Sequence, residues 1–114
     1  MENYKELAQA VDDAEGVLSV KMGDLRSIHG AGKLGVNVVA NISDKLNNEG
    51  LSHYPDPLPV NQWEVARIYK RGTAVGDLLR AAFEVGEEGD EALRELARND
   101  SHVILKQIKD LVGS

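Results

Sequence analysis

The sequence contains no cysteine, which excludes disulfide bonds, thiolate metal sites and a cysteine nucleophile. Aromatic residues make up only 4% of its 114 residues, so the hydrophobic core must consist mainly of Leu, Val, Ile and Ala. No apolar run approaches the roughly 20 residues that a membrane-spanning helix needs, and the first residues, MENYKELAQ, are acidic rather than basic and then apolar. We therefore expect a soluble, cytoplasmic protein with one compact domain.

Proline is also scarce, and its three copies all fall within the five positions Pro55–Pro59. Prolines fix φ and remove amide donors, so the loop from Pro55 to Gln62 should be extended and stiff. The segments on either side, Leu51–Tyr54 and Trp63–Lys70, are rich in strand-forming residues and predict the two arms of a β-hairpin.

Basic residues are fewer than acidic residues, 13 against 19, which gives a formal net charge of −6. This acidity argues against a simple cationic coat protein for nucleic acids. The charge is unevenly distributed, because residues 1–19 and 76–114 each carry −4 whereas residues 20–75 carry +2. The positive charge thus lies on the central segment.

Apolar residues at steps of three and four predict helices on both sides of the hairpin. The predicted helices cover Glu2–Ala14, Asp24–His29, Lys33–Asn48, a segment starting near Thr73, Ala92–Arg98 and residues 103–112. Val17–Val20 is either a short strand or an irregular segment leading into the second helix. The glycines of Gly30–Gly32 allow the second and third helices to meet at a sharp angle. The fold class is therefore mainly α with a small β-hairpin.

No motif in the chain indicates catalysis. The segment Gly30–Lys33 lacks the upstream glycine and the following Ser or Thr of a phosphate-binding P-loop. The three histidines, His29, His53 and His102, do not have metal-ligand spacing, and no GxSxG nucleophile motif is present. We therefore expect no enzyme activity, no cofactor and no metal.

The predicted third helix carries the strongest candidate binding residues. Asn37, Asn41 and Lys45 share a polar face, and Lys33 is predicted in the first turn. Asparagine can pair bidentately with adenine, and lysine can bind guanine or phosphate. The alternative is an ordinary amphipathic helix whose solvated face uses asparagine.

Further candidates flank the proline loop. His53, Arg67, Lys70 and Arg71 would bind phosphate or the minor groove, or would simply be charges on a solvated hairpin. Arg26 in the second helix would bind phosphate, or form a surface ion pair with Asp24 or Asp44.

The order of these elements resembles that of winged helix-turn-helix domains. The resemblance covers Gly23–Arg71, through LRSIHGAGKLGVNVVANISDKLNNEGL and the proline-bearing hairpin that follows. Most members of that superfamily are transcription regulators, and several use the fold only for protein contacts. The resemblance implies that Asn37 and Asn41 enter a DNA groove and that Arg67, Lys70 and Arg71 bind the DNA backbone.

We therefore expect a single winged-helix-like domain over residues 1–114, with additional N- and C-terminal helices and with 73–114 as a helical extension or dimerisation arm. The expected function is non-catalytic binding of double-stranded DNA, as a homodimeric transcription regulator. The alternative is an acidic protein–protein interaction module whose terminal helices engage, and inhibit or modulate, a DNA-binding or transcription partner.

Overall fold

The computed structural model describes residues 1–98 and 109–111. Over these residues the chain is mixed α/β, with five helices in residues 1–98, a further helical segment at 109–111 and a small three-stranded antiparallel sheet. The elements are α1 (Tyr4–Asp13), β1 (Val17–Lys21), α2 (Met22–His29), α3 (Val36–Asn48), β2 (Leu51–Tyr54), β3 (Val65–Lys70), α4 (Ala74–Phe83) and α5 (Glu87–Arg98). The helix predicted over 103–112 lies mostly outside the described residues.

The chain divides into two compact units, Met1–Thr73 and Ala74–Ser114. The first, here called the N-terminal unit, contains α1 to α3 and the whole sheet, and the second, the C-terminal unit, contains α4 and α5. The boundary lies one residue after the start of the predicted extension over 73–114.

The sheet has β3 at its centre, in the order β1-β3-β2, and both pairings are antiparallel. The predicted hairpin arms are β2 and β3, and Val17–Val20 forms most of the third strand, β1. One face of β3 presents Ala66 and Ile68, which are both 0% exposed. Strand alternation therefore directs this face into the core.

The core of the N-terminal unit is aliphatic, as the shortage of aromatic residues predicts. Its buried residues from helices and loop are Leu7, Val11, Met22, Leu25, Val39, Ile42, Leu46 and Leu58. Burying a side chain of this size contributes about 1.5–3 kcal/mol relative to leaving it in water. Because Leu58 belongs to the proline loop, its burial fixes that loop against the core.

Helix α3 begins at Val36, three residues later than predicted. Gly30 ends α2 in the left-handed conformation at φ 78°, and Gly35 is the N-cap of α3 with an extended backbone. Glycine is tolerated at an N-cap and is unfavourable inside a helix, so the helix starts after Gly35. The prediction that Lys33 lies in the first helical turn is wrong, because this residue lies in the loop before α3.

In the C-terminal unit, α4 and α5 form a helical hairpin in which Gly89 lies close to the neighbouring backbone. A Cβ atom at Gly89 would lie 2.1 Å from the carbonyl oxygen of Glu84. Helix α5 starts at Glu87, five residues before the predicted start, and its first turn contains Glu87, Glu88 and Asp90. Acidic side chains there interact favourably with the helix dipole, which explains the earlier start. No described helix is both long and apolar enough to cross a bilayer.

Candidate nucleic-acid interface

Helix α3 turns a polar ridge away from the core. Val39, Ile42 and Leu46 are buried at 5% exposure or less, so the opposite side of the helix faces solvent. The ridge consists of Asn37, Asn41, Asp44 and Asn48, with Lys45 beside it, and all five are exposed. At 1.5 Å per residue, the distance from Asn37 to Asp44 along the helix is about 10 Å, or roughly three base-pair steps.

The middle of this ridge is open to a ligand. Within the part of the chain that the structure describes, no hydrogen bond or ion pair engages the side chains of Asn37, Asn41 or Lys45. Lys33 is likewise exposed, in the loop leading into the N-terminus of α3. A helix N-terminus with a nearby lysine favours an anion such as phosphate.

The proline loop packs along one side of α3 and leaves a groove of 360 Å³. Two exposed valines line this groove, Val36 on the helix at 77% exposure and Val60 on the loop at 51% exposure. Asp44 and Asp56 also line the groove, and none of its lining residues is basic. This side of α3 therefore disfavours phosphate.

His53 lies in β2, and both nitrogens of its ring form hydrogen bonds, one toward α3 and one toward the proline loop. Its Nδ1 lies 2.9 Å from the carbonyl oxygen of Pro55 and its Nε2 lies 2.7 Å from the hydroxyl of Ser43. A carbonyl oxygen can only accept, so Nδ1 carries a proton and donates it. This half-buried imidazole connects the strand to α3.

Two of the predicted phosphate-binding residues are held by contacts within the N-terminal unit. The Nζ atom of Lys70 lies 2.7 Å from Oδ1 of Asp12 on α1. Arg71 donates hydrogen bonds to the side-chain and main-chain oxygens of Asn47 in the last turn of α3. Arg67, in β3, is half-buried and pairs in register with Tyr54 and Ser19.

Arg26 does not pair with Asp24 or Asp44, the alternative partners that the sequence offers. Its Nη1 atom instead donates to Oε1 of Gln62 at 2.7 Å. This bond fastens the segment before β3 to helix α2.

The structure thus separates the predicted site residues into two groups. Lys33, Asn37, Asn41 and Lys45 are exposed on α3 or in the loop before it, whereas Arg26, His53, Arg67, Lys70 and Arg71 make contacts within the fold. Their roles in DNA binding stay predictions.

Sequence reasoning missed Asp44 on the same ridge, although its position three residues after Asn41 and seven after Asn37 gave the signal. It also missed Trp63, which is 73% exposed just before β3.

No family model, curated protein or solved structure matches this chain significantly. Function must therefore be argued from its own residues. Among the described residues, no three His, Cys, Asp or Glu side chains are grouped so that they could hold a metal ion.

Proposed function

We propose that the N-terminal unit is a winged helix-turn-helix that binds double-stranded DNA without catalysis, as a homodimeric transcription regulator. The element order α1-β1-α2-α3-β2-β3 and the sheet order β1-β3-β2 support this proposal. In this arrangement α2 and α3 are the helix-turn-helix, α3 is the recognition helix and the proline loop is the wing.

The observation that carries the proposal is the exposed ridge on α3, with unengaged Asn37 and Asn41. An α-helix fits the major groove, where an asparagine amide can pair with N6 and N7 of adenine. Asp44, one turn further on, can accept a hydrogen bond from N4 of cytosine. Because Asp44 repels phosphate, this ridge is better suited to base edges than to the DNA backbone.

Few cations on this surface are free to meet phosphate. Lys33 and Lys45 are exposed, whereas Lys70 and Arg71 already bond to Asp12 and Asn47. One copy should therefore bind DNA weakly, and a homodimer would double the phosphate contacts.

Selection from random duplexes, followed by fluorescence anisotropy over a range of salt concentrations, tests this proposal. We expect an enriched sequence and a shallow salt dependence. Lys33→Ala and Lys45→Ala should each reduce the magnitude of the log–log salt slope by about 1, as expected when one phosphate contact is lost. Lys5→Ala, which removes an exposed charge on α1, is the matched control and should leave the slope unchanged. Absence of any enriched duplex would contradict the proposal.

A second candidate function is the acidic protein-interaction module. It is favoured by the groove beside α3, which has two carboxylates and no basic lining residue, and by the acidic first turn of α5. Both surfaces suit a basic protein partner. Retention on heparin at low salt would favour DNA binding, whereas flow-through combined with retention on an anion exchanger would favour this module.

A further inference from the structure

The only tryptophan of the chain, Trp63, has a side chain that is 73% exposed. Val65, two residues later, is 53% exposed. Tryptophan is on average a highly buried residue, because its ring is large and mostly apolar. An exposed indole on a fixed backbone therefore marks a candidate binding surface.

That backbone is held firmly against the start of α2. The amide of Met22 donates to the carbonyl of Glu64 at 2.8 Å, and the amide of Gly23 donates to the carbonyl of Gln62 at 3.0 Å. These two carbonyls, which flank Trp63, satisfy amides that the first turn of α2 leaves without helical partners. No side chain caps this helix at its N-cap, Lys21.

Further contacts restrict the same segment. The amide of Trp63 donates to Oδ1 of Asn61 at 2.9 Å, and Arg26 bonds to the side chain of Gln62. A Cβ atom at Gly23 would lie 3.3 Å from the carbonyl oxygen of Gln62, so glycine permits this close approach. The fold thus fixes the backbone that carries the exposed indole, so binding has to order only the rotamers of this side chain.

The indole lines a cavity of 320 Å³ together with two cations, Lys21 and Arg26, and one carboxylate, Asp24. The remaining lining residues are Gly23, Ser27 and Gln62. The lining therefore carries an excess of positive charge, although Glu64 is exposed next to Trp63 in the chain. A π surface beside cations suits a nucleobase with its phosphate.

This cavity is close to the proposed DNA-binding surface. Val60, which lines the groove beside α3, precedes Trp63 by three residues. Three extended residues span at most about 10 Å. The backbone of Trp63 is therefore within that distance of the loop that borders α3, although the groove between the loop and the helix is acidic and would not hold the phosphates.

We propose that Trp63 is a stacking platform for an unpaired nucleobase, and that its phosphate is bound by Lys21 and by the guanidinium donors that Arg26 does not use for Gln62. This inference rests on the proposed DNA-binding function and specifies its substrate class. Inside a duplex both faces of every base are covered by neighbouring bases, and only the outer face of each end pair is open, so an indole has no base to stack on within the duplex. The preferred substrate is therefore a duplex with a single-stranded extension.

Three oligonucleotides test the proposal: a blunt duplex, the same duplex with a single-stranded overhang, and the overhang strand alone. Anisotropy gives affinities, and the emission of the single tryptophan reports directly on the site. We expect the overhang to quench the emission and to raise affinity at least about fivefold over the blunt duplex, as stacking of one base does. Trp63→Ala should abolish this preference and leave blunt-duplex affinity unchanged, and Trp63→Phe should retain part of it. Val85→Ser, which removes a valine that is 97% exposed, is the control and should preserve the preference.

Other outcomes separate this inference from the proposed function. Equal affinity for blunt and overhang duplexes, with unchanged emission in the complex, would overturn the stacking platform and leave DNA binding intact. Failure to bind any of the three oligonucleotides would overturn both. A blue shift of the emission with rising protein concentration, without DNA, would show that the indole packs against a second copy, and would also overturn the inference.

Discussion

The guanidinium of Arg71 donates hydrogen bonds to both oxygens of Asn47, at 2.6 Å to Oδ1 and 2.8 Å to the main-chain oxygen. It also donates to the carbonyl of Leu51, at 3.0 Å. The last carbonyls of a helix have no partner within the helix, and a cation there complements the helix dipole. Arg71 therefore joins the end of α3 to the start of β2.

Arg71→Ala should lower the free energy of unfolding by about 1–2 kcal/mol, because several hydrogen bonds from a charged donor are lost. Urea unfolding measures this change. Lys45→Ala, which removes an exposed and unengaged cation from α3, should change stability by less than about 0.5 kcal/mol. Equal stability of the Arg71 variant and the wild type would show that the contacts to Asn47 contribute nothing.

Leu58→Ala should destabilise the protein by about 2–4 kcal/mol, because Leu58 is only 4% exposed and anchors the proline loop in the core. Val60→Ala, in the same loop at 51% exposure, should cost less than about 0.5 kcal/mol. The midpoints of denaturant unfolding give both values. If the two variants were equally stable, the loop would not pack as described.

Gly89→Ala should disrupt the hairpin of α4 and α5, because the new Cβ would meet the carbonyl oxygen of Glu84 at 2.1 Å. Such overpacking costs about 1–3 kcal/mol or more. Far-UV circular dichroism during heating should show earlier loss of helix. The matched control is Gly32→Ala, where a Cβ meets nothing within 4 Å and should be tolerated. Identical melting of the Gly89 variant and the wild type would contradict the close approach.

Burial raises the pKa of Tyr4 to about 12, and its hydroxyl lies 2.7 Å from Nδ1 of His29. In the unfolded chain a tyrosine ionises near pH 10, so between about pH 10 and 12 the folded state retains a proton that the unfolded state loses. The stability contributed by this phenol is complete below pH 10 and decreases as pH rises through the folded pKa.

The difference in unfolding free energy between the wild type and Tyr4→Phe should therefore shrink as pH rises over that window. The control is Tyr54→Phe, which removes a phenol hydroxyl from a tyrosine that is 48% exposed. A difference for Tyr4→Phe that stays constant from pH 9 to pH 12 would contradict the shifted pKa.

Local patterns in the sequence predicted the order of elements well. Apolar periodicity located α1 and α3, and the β-branched runs located the strands, because both signals depend on near neighbours. The ridge with Asn37 and Asn41 follows from the same periodicity.

The contacts that hold the other candidate residues join distant parts of the chain. Lys70 bonds to Asp12, 58 residues away, and Arg26 bonds to Gln62, 36 residues away. No local pattern encodes such pairs, so the sequence could not show that these cations are engaged. The exposure of Trp63 was hidden for the same reason, because it depends on how the segment before β3 packs on α2.

The most direct test of a DNA-binding α3 is the ratio of affinities for the selected duplex and for a scrambled duplex of equal composition. Asn37→Ala and Asn41→Ala should each reduce this ratio roughly 5- to 100-fold, since a bidentate base contact contributes about 1–3 kcal/mol of discrimination. Gln9→Ala, which removes an exposed amide side chain from α1, should leave the ratio unchanged. An identical ratio for the wild type and all three variants would contradict sequence recognition by this helix.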